Sequence, residues 1–125
     1  MKNENILIYN NNSCNDGLPS ILMFDRPSPM DSNLKMIWQY ECKVEGNRPE
    51  KFTTGGSVTE MATGDLFVCM GNNYGKIFIL SKNKEILWDG ATEVWNESEK
   101  KWDRAGQYRA SIIESGKDME KLIWH

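Results

Sequence analysis

The sequence has no excess of positive charge and contains a single histidine. Lysine and arginine together number 15 against 18 aspartate and glutamate residues, which gives a net charge of −3. Proteins that bind nucleic acids or anionic membranes usually carry a basic patch, so this balance indicates neither kind of partner. The histidine, His125, is the last residue, where a solvated imidazole is the expected state. The chain therefore offers little to chemistry that requires an imidazole.

The sequence also lacks long apolar runs, the features of a secretion signal and a cysteine framework. No apolar run approaches the roughly 18–20 residues of a membrane span. The first residues, MKNENILIY, lack the apolar stretch and the small-residue cleavage site of a signal peptide. Cys14, Cys42 and Cys69 form an odd set without a C-x-x-C pair, which argues against a disulfide framework and against a zinc site. No metal or other cofactor is indicated.

The stretch CMGNNYGKIFIL, residues 69–80, contains a G-x-x-x-G-K pattern that suggests a phosphate-binding loop. Such a loop needs a longer spacing between its glycines, a Ser or Thr after the lysine, and a following helix. Lys76 is instead followed by Ile77, and the run KIFIL favours a strand. The segment GNNYG between two apolar runs predicts a β-hairpin, because Gly and Asn accept the positive φ that such turns require.

Strand-like runs recur along the chain and predict an all-β fold. They are short, rich in β-branched and aromatic residues, and separated by Gly, Pro, Asn and Asp turn signals. In residues 92–104 Trp95 and Trp102 lie seven apart, and we expect a short helix or an ordered loop there. The strand-like runs are ILIY (6–9), SILMFD (20–25), KMIWQYE (35–41), GSVTEM (56–61), LFVCM (66–70), KIFILS (76–81), EILW (85–88), YRASII (108–113) and KLIW (121–124).

The order of these runs contains a weak internal repeat. ILIYNNN, SILMFD and KMIWQYE parallel LFVCMGN, KIFILS and EILWDG, with Trp38 and Trp88 in equivalent places. The second copy has an additional earlier strand, so it predicts a complete four-stranded antiparallel sheet, which is the pattern of a propeller blade. A plain β-sandwich without a repeat is the alternative. We expect one β domain with a blade-like unit at 5–41, a complete blade at 56–88, a Trp-containing loop at 89–106 and closing strands at 107–124.

These segments resemble one known family, the arylsulfotransferase-type six-bladed β-propellers of bacteria. NENILIYNNN is similar to the N-G-N-I-L strand that opens a blade in that family, and KMIWQYE is similar to its strand ending in Trp-x-Tyr. KFTTGGSVTEMATGDLFVCMGNNYGKIFIL is similar to the blade before the family's C-terminus, and GQYRASIIE to its final Gly-Tyr-Arg-Ala strand. The resemblance spans nearly the whole chain and implies a propeller-type fold. It suggests a periplasmic or secreted protein, whereas the free cysteines are compatible with the cytoplasm, so the compartment stays open.

The resemblance also implies an activity whose nucleophile this sequence does not supply. Members of the family transfer a sulfuryl group from an aryl sulfate to a phenol through a histidine in the central channel. In the family a key histidine lies just before the strand that corresponds to NENILIY, where this chain begins. We therefore expect a non-catalytic remnant, or a binding and assembly module, on this scaffold. The alternative is a sulfotransferase-type enzyme active only with other chains or with missing sequence. A further alternative is a small sandwich that binds a carbohydrate or protein through exposed aromatic residues.

Any propeller-type interpretation has to explain how the blades close into a ring. About two and a half blades cannot close a ring alone, and open sheet edges pair with other chains. The C-terminal strands could complete the first blade within one chain, or unpaired blade edges could drive self-association. Three chains that supply roughly two blades each would reach the family's six.

Four residues are candidate ligand contacts through the resemblance. Thr53 and Thr54 match the family's aromatic-Thr-Ser/Thr segment, which opens onto the channel, although a hydroxyl that caps a turn is the alternative. Arg109, next to Tyr108, would bind an anion through its planar guanidinium or pair with a glutamate. Tyr74 lies at the tip of the predicted hairpin, where exposed aromatic residues are common. The expected partner is a small anionic or phenolic ligand, and no residue is assigned a catalytic role.

Overall fold

The computed structural model describes residues 5–12, 17–26, 30, 33–43, 55–71 and 76–113. These ranges contain β-strands and no helix, so the all-β prediction is confirmed, and no segment in them could cross a membrane as a helix. The strands are β1 (Ile6–Asn10), β2 (Ser20–Asp25), β3 (Lys35–Glu41), β4 (Ser57–Glu60), β5 (Leu66–Cys69), β6 (Ile77–Leu80), β7 (Ile86–Gly90), β8 (Glu93–Asn96) and β9 (Lys101–Arg104).

The first sheet is antiparallel and contains β1, β2 and β3 in chain order. Along β2, Ile21 and Met23 are buried while their neighbours are only half-buried, which is the alternation expected of a sheet with one well-covered face. Asn12 follows β1 with a positive φ of 56° and donates its side-chain N–H to the carbonyl of Leu18 at 2.8 Å. Asparagine tolerates this left-handed backbone, so the Asn-rich stretch after β1 suits the turn back toward β2.

The second sheet is also antiparallel and contains β4, β5, β6 and β7 in chain order. The predicted hairpin is confirmed, because β5 and β6 pair antiparallel and the Met70 N–H donates to the Lys76 carbonyl at 3.0 Å. Every residue of β5 is buried, which requires cover on both of its faces. The four strands predicted within 56–88 thus form one sheet, which extends to Gly90.

The two sheets pack face to face through apolar side chains. The rings of Tyr40 in the first sheet and Phe78 in the second lie with their centroids 6.3 Å apart. None of the buried residues in the described ranges is polar or charged, so the interface is stabilised by removal of apolar surface from water. The shared core consists of Ile21, Tyr40, Cys42, Leu66, Val68, Met70, Phe78 and Leu80, with Leu7, Tyr9, Trp38 and Val58 packed against it.

Both sheets contain a register shift at the same place. In the first sheet the shift lies between Met23 and the next residue of β2, and Trp38 is the partner of Met23. In the second sheet it lies between Ile79 and the next residue of β6, and Trp88 is the partner of Ile79. An extra residue in one strand bends and twists it locally, so each tryptophan sits directly beside a bend.

Residues 93–104 form a β-hairpin, which corrects the prediction of a short helix or an ordered loop in this part of the chain. Trp95 of β8 lies opposite Trp102 of β9, with ring centroids 5.5 Å apart in an edge-to-face arrangement. Asn96 closes the loop by accepting a backbone N–H at 3.1 Å, and Lys100 takes a positive φ of 53°. The seven-residue spacing of the tryptophans therefore reflects cross-strand pairing and not a helical face.

The described part of the predicted closing strand, residues 108–113, forms no regular strand. It lies instead against β4, where the Gly56 N–H donates to the Tyr108 carbonyl at 2.7 Å and the Ser57 hydroxyl to the Ala110 carbonyl at 3.3 Å. One of these two bonds comes from a side chain, so the contacts do not form a regular backbone ladder. The last predicted strand, KLIW, lies outside the described residues.

We expect Gly56→Ala to lower the free energy of unfolding much more than Gly64→Ala. Both glycines have positive φ, +106° and +91°. A Cβ on Gly56 would lie 1.9 Å from Cε1 of Tyr9, whereas one on Gly64 would meet nothing within 4 Å. Strain and overlap together should cost about 3 kcal/mol at Gly56, and strain alone about 1 kcal/mol at Gly64. Urea unfolding midpoints would measure both losses.

The same glycine substitution in a Tyr9→Ala protein separates the cost of backbone strain from the cost of steric overlap. In a Tyr9→Ala protein the overlap is gone, so the loss caused by Gly56→Ala should shrink to that of Gly64→Ala. Equal losses for the two glycine substitutions in the unmodified background would contradict the described contact between Gly56 and Tyr9.

Candidate functional site

A cleft of about 530 Å³ opens where β1 and β4, both edge strands of their sheets, approach each other. The segment 109–111 forms its third wall. Residues from both faces of β4 line the cleft, so it follows the free edge of that strand. The lining residues are Leu7, Tyr9, Gly56, Ser57, Val58, Thr59, Arg109, Ala110 and Ser111.

Three aliphatic hydroxyls line the cleft. Ser57 and Thr59 are two residues apart on β4, so their side chains leave the strand on the same side. Ser111 adds a hydroxyl from the segment that lies against β4. Hydroxyls both donate and accept hydrogen bonds, so this wall suits either an anion or a neutral phenol.

Among the described residues that line the cleft, Arg109 is the only charged one. Within the described ranges it forms no hydrogen bond or ion pair. The nearest carboxylate along β4 belongs to Glu60, which is paired with Lys82 at 2.9 Å and does not line the cleft. In the part of the chain that the structure describes, the guanidinium of Arg109 thus has no carboxylate beside it, an arrangement that favours a negatively charged ligand.

Tyr9 contributes an apolar ring to the cleft, while its hydroxyl is buried. The hydroxyl has no hydrogen-bond partner among the described residues. Burial raises the pKa of Tyr9 most, and Cys42 raises it further; the backbone of Gly71 lowers it, and Cys69 adds the smallest rise. These neighbours belong to the core side of the ring, so Tyr9 offers a ligand its ring surface and not an ionised oxygen.

The two cysteines in the described ranges are buried and free. Burial raises the pKa of Cys42 to about 12, with the Glu41 carboxylate adding to the effect and the Lys76 ammonium opposing it. Burial also raises the pKa of Cys69. Nucleophilic cysteines need a lowered pKa and access to solvent, so these thiols serve as small apolar core groups.

The structure places one of the four sequence-predicted contacts in the cleft. Arg109 lines it, and the glutamate partner considered for Arg109 is not found within the described ranges. Thr53, Thr54 and Tyr74 lie outside the described residues.

The sequence analysis did not identify the other lining residues, among them the four that carry a hydroxyl group, Tyr9, Ser57, Thr59 and Ser111. Ser57 and Thr59 lie in the run GSVTE, where hydroxyls at i and i+2 are a detectable signal for one polar side of a strand. Tyr9 carries no local signal, because its position depends on how the first sheet stacks on the second. Ser111 likewise enters the cleft only because residues 108–110 bond to β4, which no short-range pattern encodes.

The described residues of the cleft suit binding. Among them no hydroxyl has a histidine or carboxylate beside it as a base. No group of three His, Cys, Asp or Glu side chains in the described ranges could hold a metal ion. Comparison of the chain with protein-family models, with curated proteins and with solved structures yields no match. A functional proposal therefore rests on the sheets and on the cleft.

We expect the free energy of unfolding to fall as the pH rises from 9 toward 12. The pKa of Cys42 is 9.0 in an unfolded chain and about 12 in the folded protein, so only the unfolded state loses this proton in that window. The stabilisation is complete below pH 9.0 and is lost as the pH rises through about 12. One such group contributes about 1.4 kcal/mol per pH unit. Tyr9, Tyr40 and Cys69 act in the same direction.

Between about pH 9 and 11, Cys42→Ala should make the fall in the free energy of unfolding shallower by about 1.4 kcal/mol per pH unit, because this thiol no longer contributes. Val68→Ala, which also truncates a fully buried core residue, should lower stability at every pH and leave the slope unchanged. Urea titrations at a series of pH values would measure the slopes. An unaltered slope in Cys42→Ala would show that the folded protein does not suppress ionisation of this thiol.

Proposed function

We propose that the chain is a non-catalytic binding module, built from two propeller-type blades, that holds a small anionic or phenolic ligand in the cleft between β1 and β4. The first sheet and the second sheet are the two blades. The observation that carries the proposal is Arg109, a cation without a partner in the described ranges that faces a wall of hydroxyls.

The pairing registers support the blade interpretation. In the first sheet Leu7 pairs with Met23, and Met23 pairs with Trp38. In the second sheet the same positions relative to the shift are held by Phe67, Ile79 and Trp88. By this correspondence β1, β2 and β3 match β5, β6 and β7, and the first sheet has no strand that corresponds to β4. Stacked antiparallel four-stranded units are the architecture of a propeller, which agrees with the resemblance to arylsulfotransferase-type proteins.

The location of the cleft supports a binding role on such a scaffold. In a propeller the first strand of each blade faces the central channel, and β4 is that strand in the second sheet. The cleft lies along the free edge of β4 and beside β1, where the first sheet lacks its own inner strand. In this interpretation it corresponds to the channel side of the scaffold.

The composition of the cleft supports an aryl anion as ligand. The Arg109 guanidinium and the hydroxyls of Thr59 and Ser111 would take the charged group, and Leu7 with the ring of Tyr9 would contact an aromatic ring. A volume of about 530 Å³ is ordinary for a small-molecule site. Sulfuryl transfer would in addition need an activated nucleophile, which the lining residues do not provide. Binding without turnover is the function that this site supports best.

We expect 4-nitrophenyl sulfate to bind and Arg109→Ala to weaken its binding by roughly tenfold to a hundredfold. The reason is the loss of charge-assisted hydrogen bonds, each worth about 1.5–3 kcal/mol. Arg109→Lys keeps the charge but loses the planar guanidinium, so its affinity should lie between that of the unmodified protein and that of Arg109→Ala. Arg104→Ala removes an arginine of β9, outside the cleft, and should leave the affinity unchanged. Isothermal titration calorimetry would measure all four dissociation constants.

The same samples separate binding from catalysis. Release of 4-nitrophenol, followed by its absorbance with and without a phenol acceptor, should not exceed the rate without protein. Release that depends on the protein would favour the sulfotransferase alternative. An unmodified protein that does not bind the sulfate, or an Arg109→Ala variant with unchanged affinity, would refute the anion site.

A further inference from the structure

The strand β1 forms an edge of the first sheet and borders the cleft with Leu7 and Tyr9. Its segment ILIYN contains no charged residue and no proline, whereas every other edge strand that the structure describes contains at least one charged residue. Charges and prolines are the common features that keep a strand edge from pairing with a further strand. Of the described edges, β1 is therefore the one that its own sequence protects least.

The hydrogen bonds of the first sheet show which backbone groups of β1 face its free side. The Cys42 N–H donates to the Pro19 carbonyl at 2.8 Å, which fixes the positions of β2 that bond to β3. Successive residues of an antiparallel strand bond to opposite sides, so Leu22, three residues after Pro19, bonds to its partner Ile8 in β1. The residues before and after Ile8 then direct their N–H and C=O groups to the free side. Within the described ranges those groups form no hydrogen bond.

The second sheet has a strand at the equivalent edge. By the correspondence of the two sheets, Leu7 matches Phe67 and Tyr9 matches Cys69. The Met70 N–H bonds on the β6 side, so Phe67 and Cys69, one and three residues away from it in alternation, bond to β4 on the other side. The strand β4 thus occupies on β5 the place that is open on β1 within the described ranges.

We propose that the cleft binds an extended acidic peptide segment of a partner protein, which pairs antiparallel with the free edge of β1 and extends the first sheet from three strands to four. Addition of a strand to an exposed edge is a general mode of peptide recognition. A peptide residue opposite Leu7 or Tyr9 has its side chain on the same side of the sheet as theirs, which is the side of the cleft. Arg109 lines the cleft, so an acidic side chain at this position is complementary in charge.

This inference deepens the proposed function and rests on it for the acidic side chain, which would occupy the anion site at Arg109. The backbone pairing with β1 does not depend on that site. The two proposals can therefore fail separately, because 4-nitrophenyl sulfate tests the anion site alone and changes to a peptide backbone test strand addition alone.

The probe is an acetylated and amidated peptide of sequence TVTETVT, which is rich in residues that favour a strand. N-methylation of its central glutamate blocks an N–H that faces β1, whereas N-methylation of the threonine that follows blocks an N–H that faces away. The first change should weaken binding at least about tenfold, because a donor is lost and a methyl group does not fit between strands about 4.8 Å apart. The second should leave the affinity nearly unchanged. Isothermal titration calorimetry with the unmodified chain would measure the dissociation constants.

A double-mutant cycle tests the acidic side chain. Replacement of the peptide glutamate by glutamine should weaken binding to the unmodified chain roughly tenfold. The same replacement should have no effect on binding to the Arg109→Ala protein, because the charge it responds to is gone. Equal affinity of the two peptides for the unmodified chain would overturn the choice of an acidic partner.

Amide hydrogen exchange followed by NMR tests the edge itself. With the peptide at about ten times its dissociation constant, the N–H groups of Leu7 and Tyr9 should exchange about tenfold more slowly, while that of Val58 in β4 should not change. An unmethylated peptide that does not bind, or equal effects of the two N-methylations, would overturn the proposal. Slow exchange at Leu7 and Tyr9 without peptide would also overturn it, because the chain itself or a second copy would then occupy the edge.

Discussion

The packing of the first sheet on the second is the interaction on which the rest of the structure depends. Both sheets are short-stranded, and a sheet of a few strands needs a covered apolar face to be stable in water. The ring contact between Tyr40 and Phe78 lies in a core to which both sheets contribute. Because the described buried residues include none that is polar, apolar burial decides how the sheets stack. The β8–β9 hairpin lies outside this core and has the Trp95–Trp102 pair as its own cross-strand contact.

The cleft is a consequence of this stacking and not a separate feature. Tyr9 of the first sheet reaches across to Gly56 at the start of β4, and only glycine leaves room for its ring there. The same glycine donates its N–H to Tyr108, which brings Arg109 to the edge of β4. One position thus fixes the distance between the two edge strands and the placement of the cation. A ligand that contacts Arg109 and Thr59 would bridge segments that are otherwise joined by few hydrogen bonds.

Local pattern was enough to predict β1 to β7, because each is a short apolar run bounded by turn residues. It failed at the β8–β9 hairpin, where a seven-residue spacing of tryptophans fits a helix as well as a four-residue loop between paired strands. It failed again at residues 108–113, whose apolar pattern suits a strand but which form no backbone ladder with β4. For the cleft, the resemblance pointed to Arg109, whereas Tyr9 and Ser111 depend on contacts between distant segments that no local pattern contains.

The cleft and the side of the second sheet that carries Trp88 belong to one surface. The pairing registers place Thr59 on the same side of the sheet as Phe67, Ile79 and Trp88. Phe67 is buried there, and Ser57 of β4 donates its hydroxyl to the carbonyl of Ala110 on the same side. The segment that brings Arg109 to the cleft therefore also covers part of this side of the sheet, so the cleft and the cover on β5 have one structural cause.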